Sequence, residues 1–397
     1  MKSKSRDFGA KELNAFITVH SLQGRSSGTL AGIRSAVKDI IDTAGVRTTA
    51  GSKILEDNIP SANASVVNAL LEAGSTIIGK TNTHEFACGI TNTSSIAGPA
   101  KNPVDPRRIS GGSSGGSAVA VAVGAVEVAL GTDTAGSIRT PSALCGVIGF
   151  KPTTGIISNS GVIPLSRTLD TVGVISRDIE LVRKTFRTIV SKRYRDLKNS
   201  RDKRSELNVG LFLFNDDEAS EALKPIVRRV TSEFNVQTVE IPGLQTRGNA
   251  ARRTITYAEA AEFHHKWITT RADDYFPDVR STLQWGSGVK AVDYIQALNT
   301  RKELSNEYNM IMKDVDVLVS PTTKITAPLI DDVIGNETRY RDQLLGNTEL
   351  FSLVGAPSIT IPATNSSGLP VGLMLSGKPF EDEYLLAIAD KFISVLR

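Results

Sequence analysis

Two clusters of small residues carrying hydroxyl groups could do chemistry together. Residues 110–117 read Ser-Gly-Gly-Ser-Ser-Gly-Gly-Ser, and residues 131–137 read Gly-Thr-Asp-Thr-Ala-Gly-Ser. Glycine reaches backbone conformations that other residues avoid, at a cost in stability that ordinary loops do not warrant. Glycines set among serines therefore imply exposed amides and tight turns where the main chain approaches a ligand. Ala118 to Val126 lacks polar side chains and predicts a buried helix opening at Ser117, its first N–H groups facing the serines. Val126 to Leu130 predicts a short buried strand. A strand that delivers Ser137 on a turn of small residues follows the logic of a nucleophile elbow, in which the serine attacks a carbonyl and nearby amides receive the developing charge.

Other chemistries fit less well. A Gly/Ser-rich loop is the alternative on composition alone. A phosphate cradle would need Gly-Lys-Ser/Thr following this loop or Gly-x-Gly-x-x-Gly within it, and residues 110–117 offer neither. Four histidines, His20, His84, His264 and His265, form no His-Glu-x-x-His, and Cys88 and Cys145 are too few for a zinc knuckle. His84, beside Glu85, is the best histidine for a Ser-His-Asp triad, yet it fits better as a polar residue opening a helix after Thr81-Asn82-Thr83. His264 and His265 lie on a predicted helix, where packing or surface roles are expected. Both cysteines read as buried thiols, with Cys88 near the pocket.

Three further stretches sharpen the reading: Gly32-Ile33-Arg34-Ser35-Ala36-Val37-Lys38-Asp39, Leu144-Cys145-Gly146-Val147-Ile148-Gly149-Phe150-Lys151-Pro152-Thr153, and Gly368-Leu369-Pro370-Val371-Gly372-Leu373. With the two clusters, they make the sequence resemble the amidase signature family of serine hydrolases, over most of the chain and with the signature at 110–153. The resemblance implies Ser137 as nucleophile, Ser113 as a bridging serine after a cis peptide bond from Gly112, and Lys38 as base. It also implies an oxyanion hole from the N–H groups of Thr134, Ala135, Gly136 and Ser137, and a substrate-binding role for Ala87 beside Ser113. Ala135 stands where the family usually has glycine, and alanine excludes some positive-φ geometries. No cofactor is implied. Lys38 must lose its proton to act, which burial among Ile33, Ala36, Val37 and Ile40 would favour; snorkelling, or pairing with Asp39, is the alternative for a lysine here.

Within the family the expected activity is cleavage of a small-molecule carboxamide through an acyl-enzyme. The rival is the A subunit of a glutamyl-tRNA amidotransferase, a glutaminase that works with partners. Its Arg-Tyr-Gly turn is replaced here by residues 159–166, Asn-Ser-Gly-Val-Ile-Pro-Leu-Ser, and its Arg-Ile-x-Leu-Gly-Thr helix is missing around Leu283 to Val289. A noncatalytic binding protein of the same fold is a third reading, although all three catalytic residue types are present.

The 397 residues have 40% hydrophobic content, enough for a large core, and a formal charge of +4 too slight to announce nucleic-acid or membrane partners. Met1 to Glu12 is polar, so a cytoplasmic protein is expected. The sequence predicts an α/β fold in one large domain, 1–397: a mixed, twisted central sheet with helices on both faces. Predicted strands include 30–37, 75–78, 161–164, 169–175, 208–214, 236–241, 316–320, 358–362 and 371–376. Predicted helices include 65–73, capped by Ser65, with 219–234, 256–273, 291–313 and 383–396. The charged run 183–204 reads as solvated helix and linker. By resemblance the N-terminus is trimmed, lacking helices that often cover the core or form dimer contacts, so a homodimer is a candidate assembly.

Overall fold

In the computed structural model, residues 9–195, 206–212, 215, 217–240 and 243–396 are described. The strands are β1 (Phe16–Leu22), β2 (Arg34–Lys38), β3 (Thr76–Thr81), β4 (Val128–Asp133), β5 (Ile148–Lys151), β6 (Thr171–Ser176), β7 (Asn208–Leu211), β8 (Asn235–Thr238), β9 (Val317–Pro321), β10 (Ser358–Thr364) and β11 (Pro370–Ser376). They form one 11-stranded sheet in the order β1-β3-β2-β4-β6-β5-β10-β11-β9-β7-β8. The sheet is mixed: β2 runs parallel to β3 and β4, β7 runs parallel to β8 and β9, and the pairs between these two groups are antiparallel.

The helices are α1 (Ser65–Glu72), α2 (Gly115–Ala122), α3 (Arg139–Cys145), α4 (Ile179–Ile189), α5 (Lys192–Arg195), α6 (Glu218–Glu233), α7 (Leu244–Thr270), α8 (Pro277–Ser287), α9 (Ala291–Ile311), α10 (Ile330–Val333), α11 (Glu337–Leu345), α12 (Glu349–Leu353) and α13 (Asp382–Leu396). Side chains of a strand alternate between faces, and β4 shows what covers each. Ala129 joins a cluster with Ala118, Val119 and Val121 of α2. Its neighbours Val128 and Leu130 join Val182 and Phe186 of α4 in the main core. Helices therefore cover both faces at the centre, and β4 is buried along its whole length.

Several expectations need correction. Residues 161–164 form no strand, because Gly161 turns the chain at φ 79° and Val162 makes only an isolated bridge to Ile41. Ser65 does not cap α1; the cap position is Ala64, with no side-chain bond. The glycine-rich helix opens at Gly115, not Ser117, and its first N–H groups donate to Asn92 Oδ1 and the Asn82 carbonyl rather than facing the serines. Strand β4 runs on to Asp133 because Gly131, Thr132 and Asp133 keep pairing with Gly173, Val172 and Thr171 of β6. Of the charged run, residues 196–204 lie outside the described residues, as do 213–214 and 241 at the ends of two predicted strands.

Candidate active site

Adjacent parallel strands end together, so β2 and β4 bring Lys38 and Thr132 to one edge, where α/β sheets commonly bind ligands. Lys38 is fully buried, and its Nζ donates to Ser113 Oγ at 2.6 Å and to Thr132 Oγ1 at 2.8 Å. Burial pushes its pKa down to about 7, against the opposing charges of Asp170 and Asp133. Asp39 is not its partner: that carboxylate accepts from Thr49 and lies 3.8 Å from Lys80. Lys80 and Lys151 are buried likewise, with pKa values lowered by burial to about 8 and about 7.

Ser113 follows a cis peptide bond from Gly112. Its neighbour Ser114 joins the two clusters: the Ser114 N–H donates to the Ser137 carbonyl at 3.2 Å and its hydroxyl to the Thr132 carbonyl at 3.2 Å. The turn carrying Ser137 is closed by an ion pair. Arg139, fully buried at the start of α3, grips Asp133 at the end of β4 through Nε at 2.9 Å and Nη2 at 3.0 Å. It also donates to the Thr348 carbonyl and Ser352 Oγ. Breaking a buried pair leaves one charge uncompensated. Arg139→Met is therefore expected to lower stability by about 3 to 5 kcal/mol, seen as a fall in the denaturant midpoint at unchanged slope.

Among the described residues, the N–H groups of Thr134, Ala135, Gly136 and Ser137 make no hydrogen bond within the protein. Ala135 has no positive φ; the wide angle falls on Gly136, at 158°. A Cβ on Gly136 would run into Thr348 Oγ1, which is itself held by donating to the Ala135 carbonyl at 2.5 Å. Alanine is accommodated at 135 and glycine is required at 136. Thr134 Oγ1 donates to Asp170, whose pKa is raised by burial to about 6 despite that bond and the N–H groups of Leu165 and Ser166.

Ser137 opens into a small pocket shared with Ala87, Cys88, Ile90, Leu165, Arg252, Thr256, Arg341 and Leu345 among others. Ala87 lines this pocket, in a segment where Phe86 and Ala87 hold φ values of 48° and 57°. Such conformations persist where the surroundings enforce them; here Phe86 packs edge-on against His264 at 4.3 Å, and its N–H donates to the Ala50 carbonyl. Cys88 is buried in the pocket and Cys145 away from it; neither forms a disulfide. Burial, opposed chiefly by Arg341, pushes the Cys88 thiol up to about 12, so it stays protonated.

The histidines do not reach this centre. His84 is buried with Nε2 3.0 Å from Asp278 Oδ2 and precedes the short 3-10 turn Glu85–Ala87; His264 packs among aromatic rings and meets the Tyr275 hydroxyl at 2.8 Å. The sequence reading missed Thr132, Asp170, Arg139, Arg252 and Arg341. Thr132 and Arg139 sit inside the signature and could have been found there; Arg252 and Arg341 carry no local motif.

The family model described as Amidase matches residues 10–386. The A subunit of the glutamyl-tRNA(Gln) amidotransferase of Halobacterium salinarum is 35% identical, over 95% of this chain and 98% of that protein. Among solved structures, one described as a crystal structure of amidase is 33% identical, with a TM-score of 0.83 over 91% of this chain and 84% of its own. The A subunit of the glutamyl-tRNA(Gln) amidotransferase of Thermotoga maritima is 30% identical, with a TM-score of 0.81 over 94% of this chain and 86% of its own. The mixed sheet and its covering helices define the large α/β framework of amidase-signature enzymes. The chain belongs to the amidase family. Among the described residues, no helix is long and apolar enough to cross a membrane.

Proposed function

We propose that the chain hydrolyses the C–N bond of a small carboxamide, with Ser137 as nucleophile, Ser113 as proton relay and Lys38 as base. The observation that supports it most is the buried Lys38–Ser113 hydrogen bond of 2.6 Å beside the cavity that holds Ser137, with the lysine poised at about 7. A neutral Lys38 takes the Ser113 proton while Ser113 takes that of Ser137, whose Oγ forms a bond to the amide carbon. The carbonyl π electrons move to oxygen, where the N–H groups of residues 134–137 stabilise the charge. The tetrahedral intermediate collapses as the C–N bond breaks, and the relayed proton passes from Lys38 through Ser113 to the departing nitrogen. Water then attacks the Ser137 ester by the same relay and releases the carboxylic acid.

A second reading, a glutaminase component of a glutamyl-tRNA amidotransferase, is favoured by the 35% identity to such a protein; the altered 159–166 and 283–289 stretches favour a self-sufficient enzyme. Treating the purified chain alone with a serine-directed fluorophosphonate and locating the adduct by mass spectrometry tests the proposal. Labelling of Ser137 is expected. An intact chain that gains no adduct at Ser137 overturns the self-sufficient site, and glutaminase activity appearing only with added partner subunits would establish the second reading. Sedimentation of the same sample tests the homodimer.

A further inference from the structure

Asp170 stands one residue before β6 and opposite Thr134, because the β4–β6 register pairs Asp133 with Thr171 and Thr132 with Val172. On the other side of β4 the parallel strand β2 ends at Lys38, whose Nζ reaches Thr132 Oγ1. The lysine and this carboxylate therefore flank one strand end from opposite sides. Both are buried, Lys38 completely and Asp170 to 5% exposure.

Every hydrogen bond at the Asp170 carboxylate comes from a donor. Oδ1 accepts from the Thr134 hydroxyl at 2.5 Å, and Oδ2 accepts from the N–H groups of Leu165 at 2.9 Å and Ser166 at 3.0 Å. Such bonds favour the ionised form. Burial pushes the Asp170 pKa up, opposed by these bonds and by the charge of Lys38. Burial likewise pushes Lys38 down, opposed first by Asp170 and then by Asp133. The other charged groups nearby have partners of their own. Arg139 grips Asp133, Lys80 faces Asp39, Glu349 faces Arg252, and Arg341 lies against the Tyr257 ring. Lys151 donates to the Pro152 carbonyl, and Glu259 of α7 accepts from Ser166 and Thr168. The Asp170 carboxylate also joins two parts of the site, since Thr134 opens the turn that leads to Ser137 and Leu165 is pocket wall.

We infer that Asp170 is a positioning residue for the reaction: the buried counter-charge of Lys38, and the clamp that holds Thr134 of the oxyanion turn against the pocket wall. The inference rests on the hydrolase reading for its catalytic consequence, but the counter-charge is measurable without turnover. Isotope labelling of the lysine ε-carbons, with Lys38 identified by the signal lost in Lys38→Met, reads its protonation by NMR. Asp170→Asn can keep the geometry, Nδ2 donating to the Thr134 hydroxyl while Oδ1 accepts from Leu165 and Ser166, so that only the charge is lost. Removing an opposing charge destabilises the ammonium, and the Lys38 midpoint is expected to fall by about one pH unit or more. The acidic limb of kcat/KM should move down by the same interval. In the unmodified protein the Lys38 signal should titrate in two steps, as a coupled pair does; this measurement decides if Asp170→Asn does not fold. Thr134→Val keeps the backbone N–H and releases the clamp. It should lower kcat on the order of tenfold to a hundredfold with KM little changed, and leave the Lys38 midpoint in place. An unmoved midpoint in Asp170→Asn, or a single-step titration where that variant does not fold, overturns the counter-charge; full kcat in Thr134→Val overturns the clamp. A midpoint that falls in a chain with no amide turnover keeps the counter-charge and sinks the hydrolase, whereas an active chain with an unmoved midpoint does the reverse.

Discussion

Ser137→Ala is expected to abolish amide turnover while leaving the fold intact, with a loss on the order of 10⁶-fold, as when the nucleophile of a concerted serine unit is removed. The side chain is small and makes no hydrogen bond that closes the turn; that work falls to Arg139, Asp133, Ser114 and Thr348. The unfolding midpoint should therefore stay within about 0.5 kcal/mol of the parent in stability terms. Single-turnover assays on a chromogenic anilide would read the effect directly, as disappearance of the burst of released amine. A variant that kept its burst would show that another group makes the acyl bond, and Ser137 would then be only a pocket wall.

Lys38→Met is the second large effect, about 10² to 10⁴-fold in kcat/KM, the span of a positioned base. Its pH dependence carries more information than its size. Lys38 must be neutral to accept a proton, and its pKa stands at about 7 because burial outweighs the attraction of Asp170 and Asp133. In the unsubstituted protein kcat/KM should accordingly rise tenfold per pH unit below about 7 and level off above it. Replacing the lysine should remove that limb, leaving a flat profile or one governed by hydroxide. A limb that persisted with the same midpoint in Lys38→Met would assign it elsewhere, and Asp170, at about 6, would be the next group to replace.

Much of this site was legible in the sequence, and what was missed shares a physical reason. Ser113 and Ser137 stand within stretches where glycine and serine recur too densely for an ordinary loop, so their chemistry shows locally, whereas Lys38, in a stretch with one glycine and one serine, was reached through the resemblance alone. Thr132 lies just beyond a strand end read too short: the apolar run from Val126 drew the strand early, whereas its later half is held by backbone pairing to β6, which side-chain hydropathy does not report. Asp170, Arg252 and Arg341 meet the site from distant elements, and no spacing links them to it. The 161–164 stretch, apolar enough for a strand, was diverted by the positive φ of Gly161. The sheet itself was easier: Val317–Pro321, Ser358–Thr364 and Pro370–Ser376 lie within a residue or two of their expected positions, since short apolar runs between turn residues have few alternatives.

Lys38, Lys80 and Lys151 also make the folded chain an unusual partner for hydrogen ions. Each is enclosed with a pKa of about 7 to 8, against 10.5 for a free lysine. Between those limits the native state binds fewer protons than the unfolded one, so these groups raise stability as the solution becomes alkaline from about pH 7 toward 10.5. Denaturation at pH 8.5 should therefore draw protons out of the buffer, about two per molecule once the opposing release from Cys88, Cys145 and Glu85 is included. The heat of unfolding would then depend on the ionisation enthalpy of whichever buffer surrounds the protein.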